Sequence, residues 1–384
     1  LKMQFTFFNN IILIIKTTIH YIMYLQIITL IKFIFIIFIV IINMIINNLF
    51  LLMDNIFFNY QKIKINKPLF IIGFPRSGTT FLHKMLLKDT QFTTPQLWEL
   101  IFAPSILQKK IYYYISDLFN ENNFLNNFNS LFRPLTHSLD NIHEINLKNP
   151  EEDYLFLMPF GGCFLLTLIY PIDEIWNLYN FDKNFPKKIR YRLLKKYKSF
   201  IKRHLYFHGK NKIYLSKNPH FTCFSKSLKD YFQDCNMIGC HREPKKSIPS
   251  VMSSMEPGYK LMSRDIKNDK NHFINMFNVY SKALIKNYNK NNSFILIEMS
   301  QTKNNLRLTI EQIHNKFKYK IDKIFLDKII KESKESKKFI SQNDYSLRGY
   351  GLDLTNFDKV YSEYYAFIKK INWSLLTFYD LIQY

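Results

Sequence analysis

Leu69-Phe-Ile-Ile-Gly73-Phe-Pro-Arg76-Ser77-Gly78-Thr79-Thr80-Phe-Leu82 is the stretch that decides the fold class. It opens on an unbroken apolar run, Leu69 to Ile72, the pattern of a short strand buried on both faces. Gly73 ends the run, Gly78 closes a loop, and the residues from Thr79 to Leu87 suit a helix. Strand, glycine-bounded loop, helix is the layout of an anion cradle. The loop's N–H groups and the helix N-terminus converge on one point and attract negative charge there.

The loop departs from the nucleotide-triphosphatase motif G-x-x-x-x-G-K-[ST]. The two glycines keep that spacing, but Thr79 stands where the lysine would be, and Thr80 follows it. The positive charge lies inside the loop, at Arg76. A guanidinium presents a planar fork to two oxygens at once, where an ammonium is a point charge. The loop is therefore expected to hold a phosphate-bearing ligand in a manner unlike that of an ATPase.

Outward from this stretch, strand and helix signals alternate. Strands are expected at 69–73, 212–216, 236–240 and 293–298, and helices at 186–207, 221–231, 246–255 and 270–290. Such alternation means a parallel sheet covered on both faces, with ligands at the carboxyl ends of its strands. Arg76, Lys217 and Arg242 each lie just past an expected strand, so three cations reach one edge of the sheet. The stretch 100–208 is mostly helical in pattern, and 119–130, rich in Asn and Phe, reads as a surface loop. The expected fold is α/β: a P-loop-like, three-layer arrangement with a central parallel sheet, a large helical insertion and an N-terminal hydrophobic helix.

Residues 25–53 are intensely apolar, and Leu25 to Ile46 contains only Gln26, Thr29, Lys32 and Asn43 as polar residues. That length suffices for a helix across a ~30 Å hydrocarbon layer. The expectation is a membrane anchor within residues 1–60, single-pass and of Golgi type, ahead of a domain at 66–372; a cytoplasmic protein that buries the run is the alternative. Lys2, Lys16 and Lys32 precede the span, and Lys62, Lys64 and Lys67 follow it. With three lysines on each side, the positive-inside rule does not set the orientation.

The chain has 53 Lys and Arg against 30 Asp and Glu, a formal charge of +23. Lys, Asn, Ile, Phe and Tyr are all abundant, so part of this charge reflects compositional bias. The remainder is a field that favours anionic ligands. The basic residues are dispersed and no nucleic-acid-binding signature is present, so nucleic acid is not expected as a partner. Cys163, Cys223, Cys235 and Cys240 include no C-x-x-C pair, so neither a metal nor a redox site is expected.

Phe74-Pro-Arg-Ser-Gly-Thr-Thr80 resembles the 5′-phosphosulfate loop of sulfotransferases that use 3′-phosphoadenylyl sulfate (PAPS). Met237-Ile-Gly-Cys-His-Arg242 with Ser250 is similar to that family's 3′-phosphate element: strand, arginine, then a serine eight positions on. Leu97-Trp-Glu-Leu, Pro150-Glu-Glu-Asp, Ser216-Lys-Asn-Pro-His220 and Tyr345-Ser-Leu-Arg-Gly-Tyr-Gly-Leu352 extend the resemblance over about residues 66–372. It implies transfer of a sulfonate group from PAPS to a hydroxyl or amine, without a metal. Arg76, Ser77, Gly78, Thr79 and Thr80 would hold the 5′-phosphosulfate, and Arg242 and Ser250 the 3′-phosphate. Lys217 would stabilise charge on the transferring group. Glu99, given a raised pKa by burial beside Trp98, or else His143, would be the general base, with Glu144, Glu152 and His220 also in reach of that role. Arginine at position 76, where relatives often carry lysine, keeps the charge but cannot donate a proton. A P-loop kinase or NTPase, with Glu298 as its acidic strand end, and a catalytically inactive nucleotide-binding protein are the competing readings.

Overall fold

A computed structural model describes residues 7–118, 146–336 and 347–371. Its centre is a sheet of five strands: β1 (Leu69–Gly73), β2 (Phe92–Thr93), β3 (Ile213–Lys217), β4 (Asn236–His241) and β5 (Phe294–Glu298). Their spatial order is β2-β3-β1-β4-β5 and every pairing is parallel. All five residues of β1 are buried, as the continuous apolar run requires of a central strand.

Alternate residues of the strands enter two separate cores. Phe70, Ile72, Tyr214, Met237 and Phe294 face one. Leu69, Ile71, Leu215, Ile238 and Ile297 face the other. Helices cover both sides, giving the three layers expected. The second core packs against α3 (Thr79–Leu86) and a C-terminal helix, Leu306–Phe317.

The large helical insertion precedes β3. Among the described residues it includes α4 (Leu97–Ile101), α5 (Ile106–Leu118) and α6 (Lys187–His208). The stretch 119–130, read from sequence as a surface loop, lies outside the described residues. After β4 come α7 (Pro244–Leu261) and α8 (Lys270–Lys290).

Four details differ from the sequence reading. β3 runs one residue further, so Lys217 is on the strand, level with Ile71 of β1. The segment after it starts as a 3-10 turn, Pro219–Phe224, and becomes α-helical only at Ser225. α7 starts earlier, with Pro244 in its first turn, where a missing N–H costs nothing. The edge strand β2 is two residues long, too short to leave a periodic signal.

The N-terminus forms α1 (Phe7–Met23) and α2 (Ile27–Phe57), packed against each other. α2 has a mean hydropathy of 2.8 in its most apolar window, of which 11% is buried. It lies along the domain. Thr29 bonds Ser263 at 2.7 Å. Phe33 packs on Tyr170. Asn47 donates to the Ile101 carbonyl at 2.8 Å. Asp54 accepts from Arg203, Ser105 and the backbone N–H groups of Ile106 and Leu107, which caps the start of α5.

Candidate active site

β1 ends at Gly73, which has φ +131°, and a Cβ there would lie 1.9 Å from the Cys240 carbonyl oxygen. Only glycine lets β1 and β4 run this close at the point where the loop leaves the sheet. The next residue, Phe74, donates its N–H to the same carbonyl at 2.9 Å. The loop then turns through two left-handed positions, Arg76 at φ +64° and Gly78 at φ +83°. A non-glycine residue in that region is uncommon, and its presence at Arg76 marks a locally constrained turn. The buried Ser77 hydroxyl donates to the Phe74 carbonyl at 2.6 Å, so this side chain ties the loop to itself. Thr79 and Thr80 open α3, whose first N–H groups have no partner within the helix.

The exposed Arg76 guanidinium donates from Nε to the Ser250 hydroxyl at 3.1 Å. Arg242 donates from Nη1 to the Arg76 carbonyl at 3.3 Å. The loop after β1, the residue after β4 and the buried face of α7 thus meet. Arg76 is thereby brought to Arg242 and Ser250, 166 and 174 residues further along the chain, at the carboxyl edge of the two central strands. Among the described residues Arg76 has no acidic partner, so its charge is free to meet an anion from outside.

Lys217 ends the neighbouring strand β3. Its side chain is 2% exposed, and Nζ lies 3.1 Å from Glu152 and 4.0 Å from Glu151. The acidic run Pro150-Glu-Glu-Asp has no evident partner in the sequence; the fold supplies Lys217. His83, buried on α3, bonds Thr94 through Nε2 at 3.1 Å. Burial, and then the nearby Lys217 ammonium, push its pKa down to about 3, so it is neutral at physiological pH.

His220 stacks on Phe164 at 4.0 Å and bonds Tyr280 through Nδ1 at 2.8 Å. Burial followed by Lys217 brings its pKa down to about 3. Tyr154, Phe164, His220 and Tyr280 line a narrow aromatic pocket. Asp153 is buried and accepts from Tyr197, from Tyr214 at 2.8 Å and from Ser216 at 2.9 Å. Burial raises its pKa to about 6 against the pull of these hydroxyls. It is a structural acid that joins the insertion to β3.

Glu99 sits at the start of α4, which is joined to the acidic run by a Gln96–Pro150 bridge. Its carboxylate closes a capping box with Gln96, bonds His208 at 2.6 Å and lies 3.4 Å from the Lys109 ammonium. The neighbouring Trp98 donates its indole N–H to Gln96 at 2.7 Å. Although burial works the other way, Lys109 and the His208 hydrogen bond hold Glu99 well below the usual carboxylate range. Glu99, His204 and His208 stand within ligating distance of one another. Lys109, buried in the same group, already balances the carboxylate that a cation would need. In the sequence Lys109 is one lysine among many, and nothing there announces its burial. His143 and Glu144 lie outside the described residues. Cys163, Cys223, Cys235 and Cys240 are all free and buried, packed as small apolar side chains.

A family model described as the sulfotransferase family matches residues 68–317. No curated protein matches the chain. Among solved structures the fold is similar to that of a sulfotransferase from Mycobacterium avium, with a TM-score of 0.63 at 14% identity over 82% of this chain and 80% of that one. A sulfotransferase from Mycobacterium tuberculosis H37Rv is similar with a TM-score of 0.59 at 12% identity, over 83% of this chain and 82% of that one.

Proposed function

The chain belongs to the sulfotransferase family, and we propose that it moves a sulfonate group from PAPS to a hydroxyl or amine acceptor. The observation that carries this reading is the meeting of Arg76, Arg242 and Ser250 over a glycine-bounded loop at the carboxyl edge of the sheet. The lysine-free loop sets it apart from an NTPase cradle. The residues fit a ligand with two separate phosphate-type groups: the Arg76 guanidinium at the loop, the Arg242 guanidinium after β4, and helix N–H groups at the start of α3.

In this reading the 73–80 loop, with Arg76, Gly78 and the Thr79 and Thr80 hydroxyls, holds the 5′-phosphosulfate. Ser77 shapes the loop. Arg242 and Ser250 hold the 3′-phosphate, and Arg76 links the two positions through Ser250. PAPS supplies an activated sulfonate, whose bond to the bridging phosphate oxygen breaks as the acceptor's oxygen or nitrogen bonds the sulfur. Charge gathers on the leaving phosphate, which the loop N–H groups and Arg76 face. By analogy with phosphoryl transfer, the protein contributes position and electrostatics.

The acceptor's proton needs a base, and we assign it to Glu152, which is half-buried beside Lys217 at a strand end. Glu99 is the base that the sequence favours. Held low by Lys109 and His208, its carboxylate is a weak base, and both partners would have to move before it took a proton. Lys217 then orients Glu152 as well as lending charge. The test is transfer of label from sulfur-labelled PAPS to acceptors in fractionated extracts by the full-length protein. Label on an acceptor, with release of adenosine 3′,5′-bisphosphate, supports the proposal. Magnesium-dependent ATP or GTP turnover without sulfonate transfer would replace it with the NTPase reading.

A further inference from the structure

α2 is amphipathic in the wrong sense for a water-soluble surface. Its domain-facing strip recurs at helical spacing through Thr29, Phe33, Ile36, Val40, Asn43, Asn47, Leu51 and Asp54, all buried or half-buried. This inner strip holds most of the helix's polar side chains. The outward face carries Ile28, Ile31, Ile34, Phe35, Phe38, Ile42, Ile45, Leu49 and Leu52 among others, every one exposed. Lys32 and Asn55 are the exposed polar residues of that helix. α1 continues the surface with Ile12, Ile15, Ile19 and Ile22, each at least half exposed. Contiguous apolar area of this extent marks an interaction surface.

The docking contacts decide how such a surface can meet lipid. They begin at Thr29–Ser263 and end at Asp54–Arg203. At 1.5 Å per residue they extend over about 38 Å of helix, more than the ~30 Å hydrocarbon layer. A membrane-crossing α2 would draw its docked partners into hydrocarbon, including the buried Asp54–Arg203 pair at 2.8 Å. The alternative, stripping the helix from the domain, would leave Asp54, Asn47 and Thr29 unpaired in lipid, each at a cost of kcal/mol order.

We propose that α2 lies in the plane of a bilayer, its outer face sunk into one leaflet and its inner face on the catalytic domain. The protein is then monotopic, not single-pass. The formal charge of +23 suits a leaflet with anionic headgroups. This holds whether or not the proposed reaction is correct.

The test uses the full chain with a nitroxide label at Phe35→Cys, Ile42→Cys or Leu49→Cys, one at a time. These positions lie two turns apart along the outer face and are exposed, while the four native cysteines are buried. The protein is bound to vesicles of phosphatidylcholine and phosphatidylserine, and label depth is read by electron paramagnetic resonance from collisions with oxygen and a water-soluble nickel chelate. The proposal predicts co-flotation with vesicles and three depths within a few Å of one another, just below the phosphates. Depths that change by about 10 Å for each seven residues would show a crossing helix and overturn it. So would failure to float, or three labels shielded in a lipid-free dimer, which would assign the face to a second copy of the chain.

Discussion

Arg76 with Arg242 at the strand ends, and Lys109 with Glu99, His204 and His208 beneath α4, are both groups of charge set in place by the fold. They differ in what completes them. Arg76 is exposed, sits on a strained left-handed turn and bonds only neutral oxygens in its described hydrogen bonds. Lys109 is fully buried 3.4 Å from a carboxylate that two other groups also hold. In the proposed reading, the unfinished cation at the mouth of the loop is what a ligand from outside would complete. A finished pair in the interior holds the protein together. The sequence motifs around Glu99 and Arg76 are equally suggestive, and the balance of charge is what separates them.

The comparison breaks most visibly at the chemical step. Glu152→Gln is expected to keep adenosine 3′,5′-bisphosphate affinity while kcat falls by about 10²–10⁴-fold, since the amide keeps the shape and loses the proton acceptor. A near-normal rate in Glu152→Gln, beside a dead His143→Ala, would move the base to His143.

Glu99→Gln sharpens the other side of the contrast. It leaves the fully buried Lys109 without its carboxylate, a loss of about 3–5 kcal/mol of stability by denaturant titration. Combining it with Lys109→Met is expected to restore much of that loss. A stable, nucleotide-binding but inactive Glu99→Gln would instead return Glu99 to the reaction.

Arg242→Ala is a smaller effect, about 1.5–3 kcal/mol in binding of adenosine 3′,5′-bisphosphate. ADP, which has no 3′-phosphate, should change little in a parallel titration. Equal losses for the two nucleotides would remove Arg242 from the 3′ position.

The smallest expected effect is on the pH dependence of melting. His83 and His220 have folded pKa values near 3 and His241 near 4, because each is buried. The unfolded chain binds their protons first, near 6.5, so their contribution is full above that pH and is lost as pH falls. Asp153 works in the opposite direction between about 6 and 4, because its folded state holds the proton more tightly. Burial likewise holds His204 well below its ordinary value, so between pH 7 and 5 the melting temperature should fall, with net proton uptake on unfolding. A flat profile would mean that these imidazoles are not buried as described.

Much of the sheet is legible in the sequence because central parallel strands are apolar on both faces. Four of the five strands fall within a residue or so of their expected places, and the cradle helix starts at Thr79 as expected. β2 is not legible, since two residues carry no period. Arg76, Lys217 and Arg242 can be placed at one edge from topology alone. Their partners cannot: Ser250 reaching Arg76, Glu152 beside Lys217 and Glu99 locked by Lys109 depend on long-range packing. The apolar run before residue 60 is plain in the sequence, but its direction is not. The inner strip of Thr29, Asn47 and Asp54 has meaning only once Ser263, Ile101 and Arg203 are seen against it.

The central claim is that the 73–80 loop with Arg76 is a site for the nucleotide's 5′ group. Thermal stabilisation of wild type and Arg76→Ala by adenosine 3′,5′-bisphosphate, in detergent at matched protein concentration, tests it most directly. The account predicts a clear upward shift for wild type and little or none for Arg76→Ala, with unchanged melting of the two ligand-free proteins. Equal stabilisation of both would contradict it.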